Sequence, residues 1–325
     1  MNLLVEISDI ALVNEIFNIL IILLVAFIIF FIVLFIISYF AFKKGFIPPK
    51  EMSNQKKSKR WVNYSEELTN NYKELDEIEK EEIILNGYKN RKICGHFIKS
   101  NTGSQKVVIF SHGWKNTGIN DYSVAGMFWH KNGFNVLIIN HQAHGKSDGK
   151  YIGFGGKADK YNLKCWIDYI NLKFDNKCEI YLHGFSMGAT AVLGLANQKL
   201  TNLKCIVADS GYASAYEQCK HVIKKEHKIF GSIIAFNIKI YAKILAGCKF
   251  KDCDVSEIVQ FSKYPILFLH GEKDSFVPTI NSIKNYDLCR SEKEIIIYDD
   301  ASHVLACMMY SKKYEEDILK FVNKY

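Results

Sequence analysis

The sequence predicts an α/β fold: a mostly parallel central sheet flanked by helices, with an inserted helical cap and one N-terminal transmembrane helix. Three observations carry this. From about residue 80 onward, short apolar runs alternate with helical stretches. A strongly apolar segment at 229–247 breaks that alternation. Residues 16–42 carry no charged side chain and are mostly Ile, Leu, Val and Phe.

The front of the chain divides by charge. Residues 1–15 form a tail holding Glu6, Asp9 and Glu15. Residues 16–42 exceed the ~20 apolar positions a helix needs to cross a bilayer. They lack the polar face of a buried core helix. They also lack the positive leader and small-residue cleavage site of a signal peptide. Residues 43–79 read as a charged juxtamembrane linker that turns from basic to acidic ("ELDEIEKEE"). Between Lys43 and Arg60, the cations Lys43, Lys44, Lys50, Lys56, Lys57, Lys59 and Arg60 stand against Glu51 alone. Most of the formal net charge of +8 therefore flanks the apolar run. That distribution suits a membrane-proximal stretch and argues against a nucleic-acid footprint. Positive charge stays on the cytoplasmic side. The expectation is a single-pass cell-membrane protein with its C-terminal part in the cytoplasm. Nine cysteines at scattered positions, without a C-x-x-C pair, fit a reducing compartment.

Residues 80–325 read as one globular domain. "EEIILNGYKNRKICGHFIKS" (81–100) gives two strands around a turn near Asn86–Gly87. Further strands are expected at 106–113, 134–140, 178–184, 203–211, 264–271 and 293–300. Helices are expected near 121–131, 157–174, 187–198 and 312–324. Near-continuous apolar strands alternating with helices imply a parallel sheet covered on both faces. Residues 212–262 form the cap insertion, since most crossovers are much shorter. Its apolar helix, with Ile240 and Ile244, is expected to face a substrate pocket.

Gly184-Phe185-Ser186-Met187-Gly188 ends an apolar strand and opens a helical stretch. A bland reading makes Ser186 a helix N-cap between turn glycines. The alternative is a strained elbow that presents a nucleophile, which needs glycines where backbones pass closely. Ser186 then requires a base. His303, after the last strand, is the candidate. Asp274, after the preceding strand, is the candidate orienting acid. Asp209, Asp299 and Asp300 remain alternatives for that role. A Ser, His and Asp set works because imidazole accepts a proton on one nitrogen while a carboxylate fixes the other. Backbone N–H groups of Met187 and Trp114 are the candidate oxyanion donors, Trp114 lying in the loop after an early strand. His112 is explained by that turn and is a weaker candidate for a second base.

The motifs "SHGW", "NHQAHGKSDGKYIGFG", "GFSMGA", "VADSGYAS", "HGEKDSFVP" and "SHV" occur in the order of α/β-hydrolase landmarks. Residues 80–325 resemble that superfamily. They are most similar to membrane-anchored bacterial serine hydrolases of serine-aminopeptidase-like or lysophospholipase-like type. The order Ser, Asp, His agrees with it. The resemblance implies hydrolysis of an acyl bond. One departure is local: the usual D-x-R-G-H-G-x-S-x-G reads here from Asn140 to Gly149 without the first acid or the arginine.

Competing motifs are incomplete. "HGKS" has Asn140 where a phosphate loop needs glycine, and "GFGG" completes no dinucleotide fingerprint. His141 and His144 lack a ligand set for zinc. No cofactor or metal is expected. The expected partners are a small or lipid-like ester and the membrane, with no nucleic acid. A peptidase on the same residues and a non-catalytic membrane scaffold are the alternatives.

Overall fold

The computed structural model describes residues 2–49, 59–125 and 127–325. Of the expected linker, Lys50, Glu51, Lys56 and Lys57 lie outside the described residues. An eight-stranded sheet forms the centre, in the order β1-β2-β4-β3-β5-β6-β7-β8. The strands are β1 (Glu81–Asn86), β2 (Lys92–Ile98), β3 (Lys106–Ser111), β4 (Asn135–Ile139), β5 (Glu179–Phe185), β6 (Leu203–Asp209), β7 (Ile266–Gly271) and β8 (Lys293–Tyr298). β1 and β2 join antiparallel, and β3 to β8 run parallel.

Twelve α-helical segments are described, in chain order. They are α1 (Asn2–Phe46), α2 (Ser65–Glu77), α3 (Gly118–Val124), α4 (Phe128–Lys131), α5 (Lys157–Lys173) and α6 (Met187–Leu193). Then follow α7 (Ala215–Glu226), α8 (Gly231–Leu245), α9 (Ser256–Val259), α10 (Ile280–Leu288), α11 (Ala306–Met309) and α12 (Ser311–Val322). The expected 121–131 helix is two pieces, α3 and α4. Met127, at φ 62°, stands between them in the left-handed region. The cap carries two long helices, α7 and α8, where one was expected.

The sheet buries both faces, and strand alternation assigns side chains to each. Val108, Phe110, Tyr181 and Phe185 enter one apolar cluster, which α2, α4 and α12 cover. Val107, Ile109, Ile180 and Leu182 enter the other, covered by α5 and α6. This two-residue period explains why the strands read as unbroken apolar runs.

Two boundaries differ from expectation. Residues 65–77, assigned to the linker, fold as α2 and pack into the core. Leu68 and Leu75, seven positions apart on one stripe, are fully buried. The surrounding charges occupy the outer face and hid that stripe. At the front, the 1–15 tail is helical from Asn2 and continues into α1.

α1 is long and apolar enough to cross a membrane over Leu12–Phe46. Residues 12–33 are exposed on every side, about 33 Å of helix at 1.5 Å per residue. From Leu34 a stripe of Leu34, Ser38, Phe42 and Phe46 is buried. Its four-residue spacing keeps it on one face. That face meets α8: Asn237 Nδ2 donates to Ser38 Oγ at 3.1 Å, and Tyr241 donates to the Phe35 carbonyl at 3.1 Å.

One polar group sits inside the first core cluster. His183 on β5 is fully buried. Its Nδ1 accepts from the Trp129 indole at 3.0 Å, and its Nε2 lies 3.2 Å from the Tyr314 hydroxyl. Burial pushes its imidazole down to about 3. The folded state therefore keeps it neutral while the unfolded chain protonates near 6.5. Stability must fall as pH drops below 6.5, by about 1.4 kcal/mol per pH unit from this group until its folded value is reached. Denaturant unfolding at pH 7 and pH 5 should show a steeper loss for the parent chain than for His183→Gln. Parallel losses would mean that His183 titrates alike in both states.

Candidate active site

The strand order reverses around β3, which has β4 on one side and β5 on the other. Open α/β sheets bind ligands at the carboxyl ends of the strands at such a point. Ser111 of β3 and Gly184 of β5 are register partners. The loop after β3 and the turn after β5 therefore emerge side by side.

Ser186 is that turn. Its backbone, at φ 54° and ψ −113°, is strained for a side chain larger than glycine. The flanking glycines have steric reasons. A Cβ at Gly188 would overlap the Ser111 carbonyl, and one at Gly184 would overlap the Gly188 carbonyl. The Ser186 N–H donates to the Asp209 carbonyl at 2.8 Å, which ties the turn to β6. Ser186 makes no N-cap hydrogen bond through its side chain. Its Oγ instead lies 2.8 Å from His303 Nε2.

His303 stands in the loop after β8. Its Nδ1 is 2.6 Å from Asp274 Oδ2. Asp274 follows β7, and its other oxygen accepts the Phe276 and Val277 N–H groups at 2.9 Å each. The three residues are all buried. Burial alone would raise the Asp274 carboxyl. Hydrogen bonds from His270 and His303 outweigh it and hold the group well below the usual carboxylate range. Asp274 therefore stays ionised beside the imidazole.

His270 was not a candidate in the sequence, yet it reaches the same carboxylate. Its Nε2 is 3.1 Å from Asp274 Oδ2 and 2.9 Å from the Val277 carbonyl. Two acceptors on one nitrogen require the proton there. Its Nδ1, 2.7 Å from Ser282 Oγ, then accepts from that hydroxyl. The signal was present as a histidine four positions before Asp274, but only the fold shows their contact.

The alternative acids point elsewhere. Asp209 accepts from the Tyr314 and Ser210 hydroxyls, both at 2.8 Å. Its burial, opposed by those bonds, raises it to about 6. Asp299 and Asp300 are exposed, and Asp300 pairs with Lys273.

The loop after β3 is held by buried histidines. His112 Nδ1 is 2.7 Å from the Gly113 carbonyl, and its Nε2 accepts the His141 N–H at 3.0 Å. Both nitrogens are committed and burial pushes the imidazole well down, so His112 has no capacity as a second base. His144 accepts the Lys115 N–H at 3.2 Å. Burial, with the neighbouring His141, pushes it down to about 4. Asn140, at the first position of the D-x-R-G-H-G-x-S-x-G-like stretch, accepts the Gly118 N–H at 3.0 Å through its amide oxygen. The Gly113 N–H is taken by Asp121 at 2.6 Å, which removes it as an oxyanion donor. Met187 opens α6, so its N–H belongs to the first-turn group without intrahelical acceptors.

An apolar cavity opens onto Ser186. Trp114 and Met187 line it from the sheet side, and Cys219, Val222 and Ile223 of α7 line it from the cap. α8 contributes Ile238, not the expected Ile240 or Ile244. The inner stripe of α8 is Ile234, Ile238 and Ala242, and Ile244 is 70% exposed. α1 supplies another wall through Ala41, Gly45 and Phe46. The Trp114 indole donates to the Gly45 carbonyl at 2.9 Å, joining α1 to the loop after β3. Lys44 and Glu226, 2.9 Å apart and both exposed, are the charged residues lining it. Among the described residues no His, Cys, Asp and Glu cluster is arranged to hold a metal ion.

The family model described as serine aminopeptidase, S33 matches residues 102–235. The Bacillus subtilis protein YqkD is 21% identical over 78% of this chain and 82% of its own length. A Saccharomyces cerevisiae membrane protein, YNL320W, is 22% identical over 55% of this chain and 58% of its own. The Pyrococcus furiosus esterase Pf2001 superposes with a TM-score of 0.65 at 24% identity, covering 86% of this chain and 97% of that one. Its sheet order, its elbow after β5 and these likenesses give the chain the α/β-hydrolase fold.

Proposed function

We propose that the chain is a membrane-anchored serine hydrolase that cleaves carboxylic esters with apolar acyl groups. The observation that carries this is the hydrogen-bonded line Ser186, His303, Asp274 at the floor of an apolar cavity. Ser186 Oγ attacks the acyl carbon while His303 Nε2 takes its proton. Asp274 stabilises the imidazolium through Nδ1. The Met187 and Trp114 N–H groups hold the oxyanion. His303 then returns the proton to the leaving alcohol, and an acyl-enzyme remains on Ser186. Water, deprotonated by His303, releases the acid and restores Ser186.

The lining favours an ester over a peptide. An aminopeptidase needs a carboxylate to hold the substrate amine. Among the described residues the cavity offers Glu226, and Lys44 already neutralises it. A non-catalytic scaffold would not need the strained Ser186 backbone.

Membrane anchoring by α1 rests on its apolar length, and the yeast relative's description as a membrane protein agrees. Lys43 and Lys44 follow the span and Glu15 precedes it, which favours a cytoplasmic catalytic domain. No disulfide joins any of the nine cysteines among the described residues, as that compartment would keep them.

Ser186→Ala should lower ester turnover roughly a thousandfold or more and abolish fluorophosphonate labelling, with circular dichroism unchanged. Near-normal turnover would sink the mechanism. Across esters of one alcohol, kcat/KM should rise about fourfold per added methylene until the cavity is full, the equivalent of ~0.8 kcal/mol each. Ile223→Ser should flatten that rise, and equal losses on short and long esters would confine α7 to a structural role. An impermeant maleimide added to intact cells should leave the half-buried Cys165 unlabelled until lysis. Labelling without lysis would reverse the orientation.

A further inference from the structure

We infer that the tip of the cap is itself immersed in the membrane, in the leaflet where α1 emerges, so that the cavity beside Ser186 is filled from the lipid layer. This rests on the reading of α1 as a membrane span. It adds a second membrane contact and commits the substrate to amphiphiles residing in the bilayer.

The argument begins with height along α1. Glu15 is the last charged residue before the apolar run and Lys43 the first after it. A hydrocarbon layer of about 30 Å takes ~20 residues, so measured from Glu15 it ends near residue 35. The cap touches α1 before that point. The rings of Phe30 and Phe230 meet at 5.2 Å. Phe30 lies about 8 Å inside the layer so measured, and about 20 Å along the helix from Lys43. A cap tip seated there cannot stay in water while its partner stays in lipid.

The surface of the tip agrees. Ile229 is 85% exposed and Phe236 is 53% exposed. They flank Phe230, also partly exposed, in the turn and first turns leading into α8. The face of α1 turned away from the cap is also apolar here, with Ile29, Ile32, Val33 and Ile36 exposed. The apolar surface is thus continuous from the anchor to the cap. Lys224, Lys225 and Lys228 border the tip on the chain side of Ile229 and are exposed. Long basic side chains beside an apolar patch reach up to anionic headgroups. Tyr39 and Tyr241, whose rings lie 5.5 Å apart, stand farther along at the level where interfacial tyrosines collect.

The cavity shares this location. Its walls include Ala41 and Gly45 of α1 and Ile238 of α8, the two elements that meet the leaflet. An acyl chain moving along α1 stays in apolar surroundings from the bilayer to Ser186.

The test uses the full chain in vesicles of phosphatidylcholine and phosphatidylglycerol whose acyl chains carry bromine, a contact quencher of indole fluorescence. Ile229→Trp and Phe236→Trp each add emission over the parent protein, and circular dichroism verifies the fold. Ile21→Trp, midway along the bare part of α1, marks the span. Leu172→Trp, on an exposed end of α5, marks water. The added emission of Ile229→Trp and Phe236→Trp should lose roughly half its intensity in brominated vesicles, as expected for a group 5–10 Å inside the interface. Leu172→Trp should be unchanged. If Ile21→Trp is quenched while both cap variants behave like Leu172→Trp, the cap lies outside the lipid and this inference fails, with the anchor retained. If Ile21→Trp is also unquenched, the membrane span fails and the inference with it. Neither result depends on ester turnover, so the hydrolase reading stands or falls separately.

Discussion

Everything at the site depends on one backbone constraint, the left-handed turn at Ser186. The turn is held by the close passage of β3, β5 and α6, with the Ser111 carbonyl against Gly188 and the Gly188 carbonyl against Gly184. A side chain at either glycine would force these elements apart. The strain at Ser186 is borne by the parallel sheet around it, which contributes long-range pairing on both sides of β5. In return the hydroxyl is lifted off the sheet edge and reaches an imidazole supplied from the far end of the chain. The same close approach brings the loop after β3 beside Ser186.

That loop is secured by a different kind of chemistry. His112 and His144 lie in low-dielectric surroundings and spend their ring nitrogens on backbone groups. Asn140 and Asp121 accept the backbone N–H groups of Gly118 and Gly113. The departure of Asn140–Gly149 from the D-x-R-G-H-G-x-S-x-G pattern therefore leaves no gap. A neutral amide and neutral histidines take over the anchoring.

What the sequence made legible follows from locality. The G-x-S-x-G turn, the strands and the residues at their carboxyl ends are encoded in short windows, and the structure brings Ser186, Asp274 and His303 together as their order implied. The expected catalytic residues lie after β5, β7 and β8, neighbours on one side of the sheet apart from β6, where topology does the assembly. Contacts between distant segments were not legible. His270 touches Asp274 only because the chain turns back after β7. α2 was obscured because Leu68 and Leu75 are two apolar positions within a charged run. Ile240 and Ile244 carried the right composition but the wrong helical phase, which is set by where α1 and α7 press on α8. The contribution of α1 to the cavity was the least accessible, since it joins residues 41–46 to a serine about 140 positions later.

The bond from the Trp114 indole to the Gly45 carbonyl has a consequence for any soluble version of this protein. An anchor that only tethers can be cut away without loss. Here removal would strip the indole of its acceptor, bare the apolar side of α8 and open the reaction chamber on one flank. A trimmed catalytic domain would be a different enzyme from the whole one. Its tolerance for bulky substrates would report on the surgery and say little about the natural ligand.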